Sequence, residues 1–136
     1  MKTTNAKPVV MAVDDSPSIL QVVSAVLSDQ YKVFTLVKPL KLIHILPKVR
    51  PDLFLLDFRM PEINGFDLIH VIRGFAEHKD TPIIFLSSAG TIDNVTAALA
   101  LGVCDFVIKP FDPDVLRAKI HKQIRYKKGK VQAAGF

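Results

Sequence analysis

The sequence predicts a single α/β domain built on a doubly wound, five-stranded parallel sheet, and three observations carry that expectation. Five short apolar runs alternate with segments whose apolar residues recur at helical spacing. Residues 53–56 and 83–86 are apolar at every position, as in strands covered on both faces. Strands that alternate with helices return by right-handed crossovers, which lay helices over both sides of a parallel sheet. At 136 residues the chain suits one such unit with a substantial core.

Taken in order, Val9, Val10, Met11, Ala12 and Val13 after Pro8 form the first strand, which stops at Asp14-Asp15. Ser16-Pro17 reads as a cap with proline at the first helical position, and Ile19, Leu20, Val23, Val26 and Leu27 supply the apolar stripe. Residues 31–36 alternate, with Lys32 and Thr35 interrupting, as an edge strand does. Pro39 opens a second helical stripe through Leu40, Ile43 and Leu46, which Pro47 cuts short. The third strand, 52–57, ends abruptly in the carboxylate of Asp57. Pro61 and Asn64-Gly65 then break the chain into a loop before a helix carried by Phe66, Ile69 and Ile72, with an expected end near His78.

Thr81-Pro82 leads into the fourth strand, 83–86, which ends in Ser87-Ser88. Ile92, Val95, Ala98 and Leu99 mark the next helix, stopped by Gly102 as a C-terminal cap. The fifth strand, 104–108, ends in Lys109-Pro110, and Asp112-Pro113 starts the last helix, whose stripe is Leu116, Ile120 and Ile124.

The formal net charge of +5 is unevenly spread. From Arg117 onward there are seven cations and no acidic residue, whereas residues 1–116 carry 11 Lys and Arg against 13 Asp and Glu. The basicity therefore belongs to a tail or one helix face, which offers only non-specific attraction to nucleic acid. No apolar run approaches the roughly 20 residues of a membrane span. Met1-Lys2-Thr3-Thr4 is not followed by the apolar core of a secretion signal, so a cytoplasmic setting is expected. The lone Cys104 excludes an internal disulfide and reads as a small strand residue. His44, His70, His78 and His121 lack ligand-like spacing and read as surface or helix-packing residues.

In a parallel sheet the C-terminal ends of the strands share one rim, where open α/β folds place their ligands. Four of the five strands end there in polar residues: Asp14-Asp15, Asp57, Ser87 and Lys109. Three carboxylates and one lysine leave an excess of negative charge that a divalent cation would balance, and an all-oxygen set suits Mg²⁺.

With those motifs assembled, together with Leu55-Leu56-Asp57-Phe58-Arg59-Met60-Pro61, Asn64-Gly65 and Lys109-Pro110-Phe111, the chain resembles the receiver domain of bacterial two-component response regulators over residues 8–127. The resemblance implies a flavodoxin-like strand order 2-1-3-4-5. It implies a disordered segment at 1–7 and a basic tail or linker stub at 128–136. It makes Asp57 the phosphoacceptor for a histidine kinase or histidine phosphotransfer protein. Asp15 becomes the direct Mg²⁺ ligand, Asp14 acts mainly through water, and Asp57 and the backbone carbonyl of Arg59 complete the metal site. Ser87 and Lys109 would contact the phosphoryl group. Ser87 and Phe106 would act as the switch pair, Phe106 lacking the hydroxyl of the tyrosine often found there.

The implied activity is that of a signalling switch that catalyses its own phosphotransfer and dephosphorylation. It would act through a downstream protein or a phosphorylation-dependent homodimer, with neither a specific nucleic acid nor a membrane as partner. An Mg²⁺-dependent phosphatase with an aspartyl nucleophile is the alternative. Such enzymes typically carry an Asp-x-Asp pair after the first strand, where this chain has adjacent Asp14 and Asp15. A nucleotide-binding reading lacks a Gly-x-x-x-x-Gly-Lys loop.

Overall fold

A computed structural model describes residues 6–88 and 95–135. The strands are β1 (Val9–Val13), β2 (Lys32–Leu36), β3 (Leu53–Asp57), β4 (Ile83–Ser88) and β5 (Val103–Lys109). The helices are α1 (Pro17–Leu27), α2 (Leu42–Ile45), α3 (Gly65–Arg73), α4 (Val95–Ala100) and α5 (Pro113–Gly135). All strand pairings are parallel and the order is β2-β1-β3-β4-β5, as expected.

The strand period of two divides the core into two layers. Val10, Ala12, Leu53, Leu55, Ile84 and Leu86 face Leu20, Val23 and Leu27 of α1 and Leu116, Ile120 and Ile124 of α5. Met11, Val13, Phe54, Leu56, Ile83 and Phe85 face Leu42 of α2 and Leu46 just after it, Leu68, Ile69 and Ile72 of α3, and Ala98 of α4. Every residue of β3 is buried, which explains why its sequence lacks alternation.

The helix starts follow the capping chemistry in the sequence. Ser16 accepts from the backbone N–H of Ile19 and Pro17 takes the first helical position. The Asp112 side chain accepts from Asp114 N–H ahead of α5. Gly102 has φ of 85°, so it ends α4 in the left-handed conformation expected of a glycine cap. Ile92, expected in the same helix, lies outside the described residues.

Three local expectations are corrected. The second helical segment is a 3₁₀ turn, Pro39–Lys41, followed by one α turn. Pro47 has no N–H to offer the carbonyl of Ile43, which stops the helix there. The buried side is Pro39, Leu42 and Leu46, so Leu40 and Ile43, expected in the apolar stripe, are exposed. The third helix ends at Arg73, and a separate 3₁₀ turn, Ala76–His78, completes the connection. His78 is fully buried, with Nδ1 2.8 Å from Thr81 Oγ1 and its ring edge-on to Phe54. Arg73 fastens this corner by donating to the carbonyls of His78 (2.9 Å), Thr81 (2.6 Å) and Gly102 (3.3 Å).

Gly65 is the third correction. It is the first residue of α3, with Asn64 as the cap accepting from Asp67 N–H, and its φ is not positive. The position needs glycine for space: a Cβ would lie 2.7 Å from Phe85 Cε1 and 3.2 Å from Phe58 Cα. Phe85 cannot yield freely, because its ring packs against Phe58, Phe66 and Phe106. Gly65→Ala is therefore expected to destabilise the domain by about 1–3 kcal/mol in urea unfolding, as overpacking does. Combining it with Phe85→Leu should give less than the sum of the two single losses; strict additivity would show that this contact is not the cause.

Candidate functional site

The ends of β1, β3 and β5 bring Asp14, Asp57 and Lys109 together. Asp14 is held in place by its own backbone and by the turn that follows. Its N–H donates to the Leu36 carbonyl at 3.1 Å, extending the β1–β2 ladder by one bond, and its Oδ1 accepts from Ser16 N–H at 2.9 Å. Asp14 is consequently almost completely buried, whereas Asp15 beside it is exposed. Asp57 closes β3 and is also buried. A carboxylate oxygen from each of the three lies within 4.8 Å of the others.

Lys109 is the cation of this cluster. Its ammonium lies 2.8 Å from Asp14 Oδ2 and 3.3 Å from Asp57 Oδ1. The shorter contact is a charge contact whose angles miss those of a good hydrogen bond. Burial pulls the Lys109 pKa down, but Asp14 and then Asp57 outweigh it and the net shift is upward, so the ammonium stays charged. The Asp57 pKa also moves upward, which for an acid disfavours the charged form. Burial, then the neighbouring charge of Asp14, raise its pKa from 3.8 to about 6, and Lys109 offsets only part of this.

The other expected positions fall around this centre. In the β3–β4 register Leu86 pairs with Asp57, so Ser87 is one step further along the same rim. It is buried and its hydroxyl donates to the Ser88 carbonyl at 3.1 Å. Arg59 is exposed in the loop after β3. Phe106 is half-buried on β5 beside Phe85, with ring centroids 6.2 Å apart.

Two features escaped the sequence reading. Phe58, directly after Asp57, stacks edge-on with Phe85 at 5.3 Å and with Phe66 at 5.1 Å, so rings run without a break from the Asp57 loop to Phe106. Only strand order and register bring these rings together. Lys119, which looks like a free surface cation in the sequence, donates to Asp105 at 3.0 Å and to the Phe106 carbonyl at 2.6 Å, tying α5 to β5. Arg117 is likewise engaged by Asp114 and by the Val26 carbonyl, which leaves Lys122 and Arg125 as the exposed cations among the described side chains of that helix.

Chemically, the cluster joins a buried, partly ionised carboxylate to a fixed ammonium. Its three carboxylates form an all-oxygen donor set with more negative charge than Lys109 neutralises. That donor set fits a hard divalent ion such as Mg²⁺.

The model of the response regulator receiver domain matches residues 10–121. The chain belongs to that family. Receiver domains of this kind are components of two-component signalling. The chemotaxis protein CheY4 of Vibrio cholerae superposes with a TM-score of 0.81 at 32% identity, covering 87% of this chain and 99% of that one. The sensory transduction protein BceR of Halalkalibacterium halodurans is 34% identical over 85% of this chain and 49% of its own length. The regulatory protein LuxO of Vibrio vulnificus is 44% identical over 75 residues, which are 55% of this chain and 16% of LuxO. The chain thus spans half or less of the length of BceR and of LuxO. No described helix of this receiver domain is long and apolar enough to cross a membrane.

The raised Asp57 pKa has a sign that can be tested. The folded domain holds the Asp57 proton more tightly than the unfolded chain does. The charged form therefore opposes folding above pH about 6, and this opposition fades as pH falls toward 4. Asp57→Asn is expected to raise the melting temperature of the metal-free protein at pH 7.5, and to raise it much less at pH 4.5. Calorimetry that finds a lower melting temperature at pH 7.5 would show that Lys109 more than compensates the buried charge.

Proposed function

We propose that this receiver domain takes a phosphoryl group onto Asp57 from a histidine kinase or histidine phosphotransfer protein and uses it to switch binding of a downstream protein or a second copy of itself. The observation that carries the reading is the buried Asp57 carboxylate, 3.3 Å from the Lys109 ammonium and in one cluster with Asp14 and Asp15. With a pKa of about 6, Asp57 is mostly ionised near neutral pH and so available as a nucleophile.

In the proposed step an Asp57 oxygen forms a bond to phosphorus while the bond from phosphorus to the donor's imidazole nitrogen breaks, and the nitrogen keeps the electron pair. The product is an aspartyl phosphate, a mixed anhydride. Lys109 stays charged and within reach of the added oxygens, where it offsets the repulsion between two anions. Ser87, one step along the rim, would donate to a phosphoryl oxygen. Mg²⁺, held by Asp14, Asp15, Asp57 and the Arg59 carbonyl, would supply further charge neutralisation. Asp15 suits direct ligation because it is exposed, whereas Asp14 already has Oδ1 committed to Ser16 and Oδ2 facing Lys109. Loss of the phosphate would follow the same chemistry with water as acceptor, which makes the unit a switch with self-catalysed steps and no turnover of a separate substrate. The receiver unit is assigned to residues 8–127 and the basic remainder to a tail or linker.

Incubation with acetyl phosphate and Mg²⁺ should add one phosphate by intact-mass spectrometry. Asp57→Asn should abolish labelling, and Asp15→Ala should raise the Mg²⁺ requirement more than Asp14→Ala. Undiminished labelling of Asp57→Asn would overturn the assignment, and turnover of a small phosphoester without a stable adduct would favour a phosphatase.

The readout is assigned to the face made by α4, β5 and α5. Phe106 sits there at the end of the ring series that starts at Phe58, and Leu99, Ile108 and Val115 are exposed on it at 55%, 46% and 44%. Ser87 moving toward a phosphoryl group would free room for the Phe106 ring to turn inward, where a side chain with no hydroxyl gains by burial. Amide exchange with beryllofluoride, a phosphoryl mimic, should change protection across residues 95–122. Changes confined to the loops around Asp57 would refute this route.

A further inference from the structure

We propose that the β2–α2 edge of the domain is a docking surface for an acidic amphipathic helix of a partner protein. The apolar evidence is a short element that is hydrophobic on both sides. Pro39, Leu42 and Leu46 are buried against the sheet, while Val37, Leu40 and Ile43 are exposed at 42%, 43% and 46%. Among the described residues seven large apolar side chains are exposed to this degree, and three of them fall within residues 37–43. Single exposed apolar side chains are ordinary, but Leu40 and Ile43 are one turn apart and share a face with Val37 leading into it. Contiguous exposed apolar side chains on the outer side of a segment already buried on its inner side mark an interaction surface.

Charge identifies the kind of cover. Between Asp29 and Asp52 there is no acidic residue, and Lys38 and Lys41, interleaved with Val37, Leu40 and Ile43, are exposed, as is Lys48 just beyond them, whereas Arg50 shares a depression with Asp52, Glu77 and Asp80. None of the three lysines forms an ion pair among the described residues. An apolar strip bordered by uncompensated cations is complementary to an apolar stripe bordered by carboxylates. The spacing of Leu40 and Ile43 matches the anchor spacing of a helix laid along it. A lipid surface fits less well: the strip offers under two helical turns of apolar side chains and no exposed aromatic to seat in the headgroup region. β2 and β5 are opposite edges of the sheet, so this surface is separate from the α4–β5–α5 face.

The test needs neither Mg²⁺ nor a phosphodonor, so it stands apart from the phosphoryl reading. A synthetic amphipathic peptide of about 18 residues, with a leucine stripe flanked by glutamates, is titrated into the isotopically labelled domain. Amide shifts are expected to cluster on residues 32–50. Binding should weaken at least roughly ten-fold in Leu40→Ser/Ile43→Ser and in Lys38→Glu/Lys41→Glu, and should fall as salt rises. Far-UV circular dichroism and melting of each variant should match the parent, since all four side chains are exposed. The proposal is overturned if the shifts map to Leu99, Ile108 and Val115, or if a lysine-flanked version of the peptide binds equally well. It is also overturned if the variants instead lose binding to vesicles containing about 30% phosphatidylserine, which would make the surface a membrane contact. Sedimentation showing self-association abolished by the same substitutions would assign the strip to a second copy of this chain and overturn it too.

Discussion

The contact on which the site depends is the approach of the Lys109 ammonium to both Asp14 and Asp57, at 2.8 and 3.3 Å. Two carboxylates buried at the end of a sheet repel each other and are poorly solvated, so either alone would favour protonation or local opening. Lys109 makes the arrangement tenable without fully balancing it, and the elevated Asp57 pKa records the deficit. Much of the fold positions this one nitrogen. β5 must run parallel to β4 in a register that pairs Ser88 with Lys109, and Lys119 tethers that strand to α5 through Asp105 and the Phe106 carbonyl.

The two layers of the core relate to the site differently. The α1–α5 layer is aliphatic apart from Tyr31 and Phe111, with Leu, Ile and Val filling the space behind β1 and β3. The α2–α3–α4 layer holds Phe54, Phe58, Phe66, Phe85 and Phe106, and four of these rings form a connected group beginning next to Asp57. Close-packed rings leave little room for one to move without its neighbour. This gives the proposed switch a physical path from the loop after Asp57 to β5. Gly65 belongs to the same group, since its missing side chain is what lets α3 start against Phe85.

The strands and the rim carboxylates were legible because burial writes itself directly into composition. A run such as Leu53-Phe54-Leu55-Leu56 has few ways to satisfy water other than a covered strand, and a carboxylate ending it stands out. What failed had a shared cause. Gly65 looked like a turn glycine because sequence shows that a side chain is absent, never which neighbour needs the space. Leu40, Ile43 and Leu46 looked like one face because a spacing of three suits a helical stripe, yet the observed stripe is Pro39, Leu42 and Leu46. His78 read only as a surface or helix-packing residue because its partner Thr81 and the Phe54 ring come from outside its own turn. Lys119 looked available because its acceptors lie on a strand 13 and 14 residues earlier. Each error concerns a contact set by tertiary register, which local pattern does not encode.

Charge is sorted across the domain in a way that bears on how it could meet its partners. The rim concentrates Asp14, Asp15 and Asp57 around one lysine, so an incoming phosphoryl donor meets a negative surface unless cations accompany it. The β2–α2 edge lies directly beside that rim, because Asp14 N–H bonds to Leu36, the last residue of β2, and the basic strip starts two residues later at Lys38. A field of exposed lysines next to an acidic cluster lowers the barrier for an anionic donor to approach, and the effect weakens with salt because these charges are solvated. The same lysines that suit an acidic helix would therefore also ease approach to Asp57. A partner seated on the β2–α2 edge would cover that positive field and present its own carboxylates near the rim. Occupancy of the edge and the rate of the proposed phosphoryl transfer would then oppose each other through electrostatics alone, with no change of fold required.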